Sequence, residues 1–178
     1  TTRLFGTDGI RGRVNEFPIT AEVALRVGKA VARVLRSSGP NRNRVLVGKD
    51  TRISGYMLET ALTSGLVSMG MDVFMVGPMP TPGVAHLTKS MGAAAGIMLT
   101  ASHNPYEDNG VKIFGPDGYK LSDQLEAIIE RHILGEEPEA APVPPRQIGK
   151  AHRIEDARGR YIEFAKHTAD NVPLHGLK

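Results

Sequence analysis

Apolar residues in this chain occur in two spacings, and each spacing predicts a different kind of element. Short apolar runs bounded by glycine, proline and polar residues predict strands buried in a sheet. Longer stretches in which apolar residues recur every three or four positions predict amphipathic helices. The pattern predicts four strands, at 44–48, 73–76, 96–99 and 111–114, and five helices, at 20–36, 54–69, 81–90, 122–134 and 156–167.

Residues with capping chemistry stand at the boundaries of these helices. A hydroxyl at a helix start can accept a hydrogen bond from a free backbone N–H of the first turn, and three such residues are present, Thr20, Ser54 and Ser122. Glycine just past a helix favours its termination. The predicted ends carry Gly39-Pro40, Gly70 and Gly135.

The order of the elements predicts the topology of the sheet. Strand, helix, strand, helix, strand is the order that gives parallel pairing with right-handed crossovers. The loop before 111–114 is too short for a helical crossover, so that strand should run antiparallel. We therefore expect a three-layer α/β/α fold around a mixed, mostly parallel four-stranded sheet. Residues 3–14, which contain Asp8-Gly9, predict a short hairpin.

Composition divides the chain into three parts. Residues 1–135 hold the regular pattern and predict one α/β domain. Residues 136–150 are rich in proline and glutamate and predict a semi-rigid linker. Residues 151–178 would then begin a second, truncated domain, whose helix at 156–167 carries apolar side chains that need a partner.

Composition also excludes several classes of function. The 178 residues include no cysteine, which excludes disulfides and thiolate metal sites. No apolar run is long enough for a membrane span, and no signal peptide precedes Arg3, so a cytoplasmic protein without a membrane partner is expected. The net charge is +3, but the basic residues are scattered and only 5% of residues are aromatic, so nucleic acid is not an expected partner.

A polar loop follows the strand at 96–99 and carries the candidate chemistry. It contains Asn104-Pro105 and Asn109-Gly110, two dipeptides typical of turns. Ser102 and His103 therefore lie at the carboxyl end of a strand, where ligands bind in open α/β sheets. In an extended loop the two side chains would point in different directions.

Ser102 has two possible roles in that loop. Serine is a poor nucleophile without an activating neighbour, and no G-x-S-x-G elbow is present. The serine could instead carry a phosphoryl group whose charge is offset by backbone N–H groups, His103 and Lys112. On residue types alone, a polar turn whose serine and asparagine cap backbone groups is the more common explanation.

Two basic clusters have open interpretations as well. Lys49 and Arg52 follow a predicted strand and precede a helix, which is a natural anion site. Arg52 could equally pair with Asp50 and brace the loop. Arg11 lies close to Asp8 and could form a surface ion pair in a solvated turn.

Four separated motifs resemble one known family. Thr100-Ala-Ser-His-Asn-Pro with Asn109-Gly-x-Lys112 resembles the phosphoserine loop of the α-D-phosphohexomutase superfamily. Phe5-Gly-Thr-Asp-Gly-Ile-Arg-Gly12 resembles the amino-terminal signature of its bacterial phosphoglucosamine mutases. Gly48-Lys-Asp-Thr-Arg-Ile-Ser-Gly55 and Gly77-Pro-Met-Pro-Thr-Pro82 also match, and the four occur in the order the family has.

The resemblance implies a reaction and a set of site residues. Phosphorylated Ser102 would convert glucosamine 6-phosphate into glucosamine 1-phosphate through a bisphosphate intermediate, feeding UDP-N-acetylglucosamine and cell-wall synthesis. The implied catalytic residues are Ser102, His103, Lys112 and Arg11, and the implied phosphate-binding residues are Thr7, Arg11, Asn104 and Lys112. A sugar bisphosphate is the implied activator.

The resemblance further implies a Mg²⁺ ion that contacts Ser102 through its phosphate. In the family an Asp-x-Asp-x-Asp loop supplies the carboxylates, and no such run occurs in this sequence. The chain is thus expected to be an amino-terminal fragment that lacks downstream domains and is inactive alone, with a homodimer possible. The alternatives are a phosphomannomutase or phosphoglucomutase of the same superfamily and a non-catalytic α/β binding module. A Rossmann domain would need a G-x-G-x-x-G that is absent.

Overall fold

One sheet of six strands lies between two layers of helices in the computed structural model, which describes residues 3–36, 43–139, 141–170, 172 and 176. The strands are β1 (Ile10–Arg13), β2 (Arg44–Lys49), β3 (Asp72–Pro78), β4 (Ala95–Leu99), β5 (Asp108–Phe114) and β6 (Ala151–Arg153). The α-helices are α1 (Ala21–Leu35), α2 (Ser54–Ser68), α3 (Thr81–Ser90), α4 (Asp123–Leu134) and α5 (Ala157–Thr168), and a 3-10 turn covers Pro145–Gln147.

The strand order is β1-β5-β4-β2-β3-β6. Strands β4, β2, β3 and β6 pair in parallel, whereas β5 pairs antiparallel with both β4 and β1. This confirms the predicted three-layer α/β/α fold and its mixed, mostly parallel sheet.

The predicted strand count was wrong, because the sheet has six strands rather than four. Residues 3–14 were predicted to form a hairpin, but the only strand pairing described within that stretch is a bridge between Gly6 and Gly9, and its strand β1 pairs with β5 instead. β6 is three exposed residues in a polar segment, and its extended form comes from pairing with the edge of β3. Neither strand has an apolar pattern of its own, so only long-range pairing defines it.

The two faces of the sheet are covered by different helices. α1, α2 and α4 pack on one face around a large apolar core that includes Val27, Leu62 and Ile129. α3 and α5 pack on the other face around a smaller core that includes Leu46 and Met98. None of the helices in the described ranges combines the length and hydrophobicity needed to cross a bilayer.

Most of the predicted caps are confirmed. Thr20 accepts a hydrogen bond from the Val23 N–H, Ser122 accepts one from the Leu125 N–H, and Gly135 ends α4 in the left-handed region at φ 75°. Those contacts explain why α1 and α4 begin, and why α4 ends, where the local sequence predicts.

The remaining cap predictions have different outcomes. Gly70 follows α2 with φ 85°, as expected of a glycine that terminates a helix. Ser54 is not the cap of α2, because Ile53 occupies that position and Ser54 Oγ instead accepts a hydrogen bond from Asn109 Nδ2 at 2.8 Å. Gly39-Pro40 lies outside the described residues.

The segment after α4 returns along the sheet. The Val143 N–H donates to the Ser68 carbonyl and the Gly149 N–H donates to the Val67 carbonyl, which anchors the segment at the end of α2. α5 then packs on α3: the ring of Phe164 stacks on His86 at 3.6 Å between centroids. Two apolar side chains of the predicted helix at 156–167, Tyr161 and Phe164, therefore contact α3, whereas Ile162 stays exposed.

Candidate active site

The loop between β4 and β5 presents Ser102 at the carboxyl end of a central strand. Ser102 is exposed and has φ 58°, a left-handed conformation that is uncommon outside glycine. Its N–H donates to Thr100 Oγ1 at 2.9 Å. The turn is closed by the Asn104 N–H, which donates to the Ala101 carbonyl at 3.1 Å.

The left-handed turn brings the His103 ring toward the serine. Ser102 Oγ and His103 Nδ1 lie 3.4 Å apart, and the tautomer of the imidazole decides which group donates. The two side chains were expected to diverge if the loop were extended, and that condition is not met because Ser102 is left-handed. A group able to take or return a proton thus lies beside the hydroxyl.

Arg52 holds the loop from the side of β2. Its Nε donates to Asp50 Oδ2 at 2.9 Å, and its backbone N–H donates to Asp50 Oδ1 at 3.0 Å. Its Nη1 and Nη2 donate to four backbone carbonyls, those of Pro105 (2.5 Å), Asp108 (3.0 Å), Ser102 (3.0 Å) and Asn104 (2.8 Å). The five N–H donors of the guanidinium therefore match five protein acceptors.

These contacts decide between the two interpretations of this cluster. The bracing interpretation of Asp50 and Arg52 is confirmed. Lys49 does not face an open anion site either, since it is buried, forms an ion pair with Glu59 and lies 4.2 Å from the centroid of the Tyr56 ring. We call Arg52 with its carboxylate and four carbonyl acceptors the Arg52 clamp. The Asp-x-Arg spacing in the sequence indicated the ion pair with Asp50, but nothing in the sequence indicated the four carbonyls.

Arg11 and Lys112 share a face of the sheet near this loop. Arg11 on β1 lies opposite Gly110 on β5, so the register places it on the same face as Lys112, two residues further along β5. Arg11 Nη2 lies 3.3 Å from Asp8 Oδ2, which confirms the ion pair. Arg11 Nε is buried and has no hydrogen-bond partner among the described residues.

Thr7 and Lys112 line one hollow of about 190 Å³. Lys120 and Glu126 lie on its wall, and Lys120 Nζ donates to Glu126 Oε2 at 2.8 Å. This hydrogen bond, together with that to Asp123, raises the pKa of Lys120 and keeps it charged. The structure thus brings Thr7 and Lys112 together, and Arg11 lies on the face that Lys112 occupies.

Asn104 and Asn109 tie the loop to its surroundings. Asn104 Nδ2 donates to Asp108 Oδ2 at 3.0 Å, so in this structure the side chain that the resemblance assigned to phosphate binding serves the loop itself. Asn109 is fully buried and reaches Ser54 on α2. Asn109 and Thr100 belong to the motifs of the family but were assigned no role from the sequence, and the Thr100 hydroxyl donates to Asp50 Oδ2 at 2.7 Å.

A metal site is not evident from the described residues. Within the described ranges, no group of three or more histidine, aspartate or glutamate side chains is arranged to hold an ion. Asp50 and Asp108, two carboxylates beside the loop, are engaged with Arg52, Thr100 and Asn104.

Comparisons with known proteins agree on one family. The profile described as phosphoglucomutase/phosphomannomutase, alpha/beta/alpha domain I, matches residues 2–140. Proteins named phosphoglucosamine mutase from Paracoccus denitrificans and Sphingopyxis alaskensis are 58% and 60% identical to this chain over 177 and 178 residues, in each case 99% of the chain. The chain spans 39% of the length of these relatives.

One solved structure with a similar fold carries a name from the same family. The putative phosphomannomutase from Thermus thermophilus superposes with a TM-score of 0.76 at 33% identity, covering 92% of this chain and 35% of that one.

Proposed function

Because this chain belongs to the phosphoglucomutase/phosphomannomutase family, as its four motifs predicted, we propose that Ser102 carries a phosphoryl group and exchanges it with a hexosamine phosphate. The observation that supports this most is the conformation of Ser102: its hydroxyl is exposed on a left-handed turn at the carboxyl end of β4. A residue held in a sparsely populated conformation is a marker of function.

The proposed reaction has two transfers. In the first, the phosphorus–oxygen bond of phosphoserine breaks, the C1 hydroxyl of glucosamine 6-phosphate gains the phosphoryl group, and its proton goes to Ser102 Oγ. In the second, the C6 phosphoryl group passes to Ser102, and the proton returns to the C6 oxygen. The product is glucosamine 1-phosphate. His103 Nδ1, at 3.4 Å from Oγ, is placed to relay this proton to Oγ in the first transfer and away from it in the second.

Charge neutralisation is the second requirement of phosphoryl transfer. Arg11 and Lys112 lie on one face of adjacent strands, and Arg11 Nε is a buried donor without a protein acceptor among the described residues. We assign both to the phosphate groups of the substrate, with Thr7, which lines one hollow with Lys112, as a hydroxyl partner. Asn104 would contact phosphate only if it left Asp108.

The family implies Mg²⁺, and the described residues of this chain do not fit it alone. Phosphorylated Ser102 would supply one oxygen ligand, whereas a hard divalent cation takes about six. No carboxylate cluster in the described ranges supplies the others. A sugar bisphosphate would act as the activator by phosphorylating unmodified Ser102.

The choice of glucosamine rests on the relatives named phosphoglucosamine mutase. Phosphomannomutase activity is the second candidate, because the Thermus structure carries that name. Under the first assignment the product would feed UDP-N-acetylglucosamine and cell-wall synthesis in the cytoplasm. The two activities can be distinguished by measuring the rates of the whole protein with the 6-phosphates of glucosamine, mannose and glucose.

Intact-mass measurement of freshly purified protein tests the phosphoserine. We expect the mass of one added phosphoryl group in the wild type and in Ser64→Ala, which removes an exposed serine on α2 as a matched control. Ser102→Ala should lack it and should lower turnover of the whole protein by several orders of magnitude, since the covalent carrier is lost. A non-catalytic binding module would show no phosphoryl group and no dependence on Ser102.

A further inference from the structure

The two peptide groups that flank Ser102 are both held by hydrogen bonds. The N–H of Ser102, in the peptide before its Cα, donates to Thr100 Oγ1 at 2.9 Å. The carbonyl of Ser102, in the peptide after its Cα, accepts from Arg52 Nη2 at 3.0 Å. Fixing both peptide planes fixes φ and ψ of the residue between them, so the direction of the Ser102 side chain is determined from outside the residue.

Both hydrogen bonds lead back to one carboxylate. Asp50 Oδ2 accepts from Thr100 Oγ1 at 2.7 Å and from Arg52 Nε at 2.9 Å. Asp50 follows β2 directly, and its N–H donates to the Leu99 carbonyl at the end of β4. The conformation of Ser102 is therefore fixed relative to the centre of the sheet. The group that fixes it follows β2, some fifty residues earlier in the chain.

Arg52 is suited to this task by its shape. Four carbonyl oxygens of the loop and one carboxylate oxygen surround a single guanidinium, whose side chain is only 10% exposed. An ammonium has three donors on a tetrahedral centre and cannot reproduce a planar fork with five. A phosphate bound to Arg52 would have to displace a carbonyl from this arrangement.

We propose that Arg52 is a positioning residue for Ser102: its five hydrogen bonds hold the left-handed turn that aims the serine oxygen, and they do so by geometry rather than by attracting phosphate. This inference rests on the proposed phosphoserine function. Asp50 and Thr100 act together with Arg52: Asp50 orients the guanidinium, and Thr100 accepts the hydrogen bond of the Ser102 N–H.

A positioning role for Arg52 affects catalysis and substrate binding differently. Phosphoryl transfer depends on alignment of the donor and acceptor oxygens, and a misplacement of about 1 Å can lower the rate roughly 100-fold. Substrate binding through Arg11 and Lys112 does not involve Arg52. Loss of Arg52 should therefore lower kcat and leave KM within a few-fold of the wild-type value.

Three variants of the whole protein test this. Arg52→Met removes charge and donors, and Arg52→Lys keeps the charge but not the fork. Arg131→Lys is the matched control, because Arg131, in the last turn of α4, makes one exposed pair with Glu137. We expect kcat to fall roughly 100-fold in both Arg52 variants, with lysine no better than methionine, and to stay unchanged in the control. A lysine variant with near-normal kcat beside an inactive methionine variant would overturn the proposal in favour of an anion site.

A second pair of variants applies if the Arg52 variants fail to fold. Thr100→Val removes the hydroxyl that joins Asp50 to the Ser102 N–H, and Thr100→Ser restores it. We expect valine to lower kcat and serine to rescue it, with KM changed little in both. Equal, near-wild-type kcat in the two Thr100 variants would contradict the proposal.

Amide hydrogen exchange keeps this test distinct from that of the phosphoserine. The Ser102 and Asn104 amides of this chain should exchange faster in Arg52→Met, whereas the β4 amides should not change. If Ser102→Ala retains activity but the two amides still exchange faster, the proposed function fails and the control of the turn by Arg52 stands. If Ser102→Ala is inactive while Arg52→Met keeps wild-type kcat and exchange, only the role of Arg52 is refuted.

Discussion

Ser102 and His103 owe their proximity to one backbone angle. With φ at 58°, the chain turns back on itself after Ser102, and the imidazole lies 3.4 Å from the hydroxyl oxygen. The same two residues in an extended strand would point to opposite faces. A single left-handed residue thus converts an adjacent pair into a potential proton-transfer pair.

We predict that His103→Gln lowers kcat of the whole protein roughly 100-fold, because glutamine can hydrogen-bond but cannot take up a proton. His132→Gln on α4 is the control and should leave kcat unchanged. Steady-state rates with a saturating sugar bisphosphate measure the effect. Substantial activity in His103→Gln would mean that the ring only supports the loop.

At the scale of the elements, α1 and α2 cross at a contact between two glycines. A Cβ added at Gly28 would lie 2.9 Å from the Leu66 backbone nitrogen and 3.1 Å from Gly65 Cα. Neither neighbour is a flexible side chain, so the helices would have to separate to accommodate a methyl group. This close approach also allows α1 and α2 to cover the sheet behind β2.

We predict that Gly28→Ala destabilises the chain by about 1–3 kcal/mol, despite the higher helix propensity of alanine. Gly159→Ala in α5 is the matched control, since a Cβ there meets nothing within 4 Å. It should be neutral or stabilising by up to about 1 kcal/mol. Urea unfolding of both variants gives the comparison, and equal midpoints would contradict the close-packed crossing.

The contact between α3 and α5 includes a titratable group. Burial against the rings of Tyr161 and Phe164 lowers the pKa of His86 from 6.5, and the nearby charge of Lys89 lowers it further. The detached state therefore binds the proton more readily than the packed state. The contribution of His86 to packing is complete above pH 6.5 and is lost as the pH falls below it toward the lowered pKa.

We predict that the α5 amides exchange faster, after correction for intrinsic rates, as the pH is lowered from about 7.5 to about 5.5. A His86→Phe variant keeps an aromatic ring and should lose this pH dependence. Slower exchange at the lower pH would show instead that the face of the Phe164 ring stabilises the protonated imidazole.

At the scale of the whole molecule, the site is built from several strands. Its described residues do not include the carboxylates that a metal ion would need. Serine, histidine and the two assigned cations come from β1, β5 and the loop after β4. The described part of the chain has no cluster of carboxylates for a metal. Phosphoryl transfer in this family would need further groups to neutralise charge on the transferring group.

We predict that the 178-residue chain folds but does not interconvert hexosamine phosphates at a measurable rate by itself. In the described part of the chain, Ser102 is exposed to solvent and no cluster of side chains could hold a metal ion. Phosphoryl transfer also needs a cleft that excludes water. The assay contains Mg²⁺, a hexosamine phosphate and a sugar bisphosphate. Turnover that persists after rigorous removal of full-length enzyme would show that the chemistry is complete within this chain.

The sequence by itself determined the features that depend on neighbours along the chain. Helix caps such as Thr20 and Ser122 and the stop at Gly135 act within one turn of backbone, so their chemistry is visible in a short window. The core strands were predicted because both of their faces are apolar. The family motifs were equally local, and the comparisons confirm the resemblance they indicated.

Only the tertiary structure decided the features that join distant segments. β1 pairs with a strand about a hundred residues away, and β6 is extended because β3 offers it a free edge. The left-handed conformation of Ser102 depends on Arg52, fifty residues earlier, and the carbonyls that Arg52 binds have no sequence signature because every residue has one. Which carbonyls Arg52 binds depends on the fold that places them around its side chain. The Arg52 clamp could therefore be identified only in the tertiary structure.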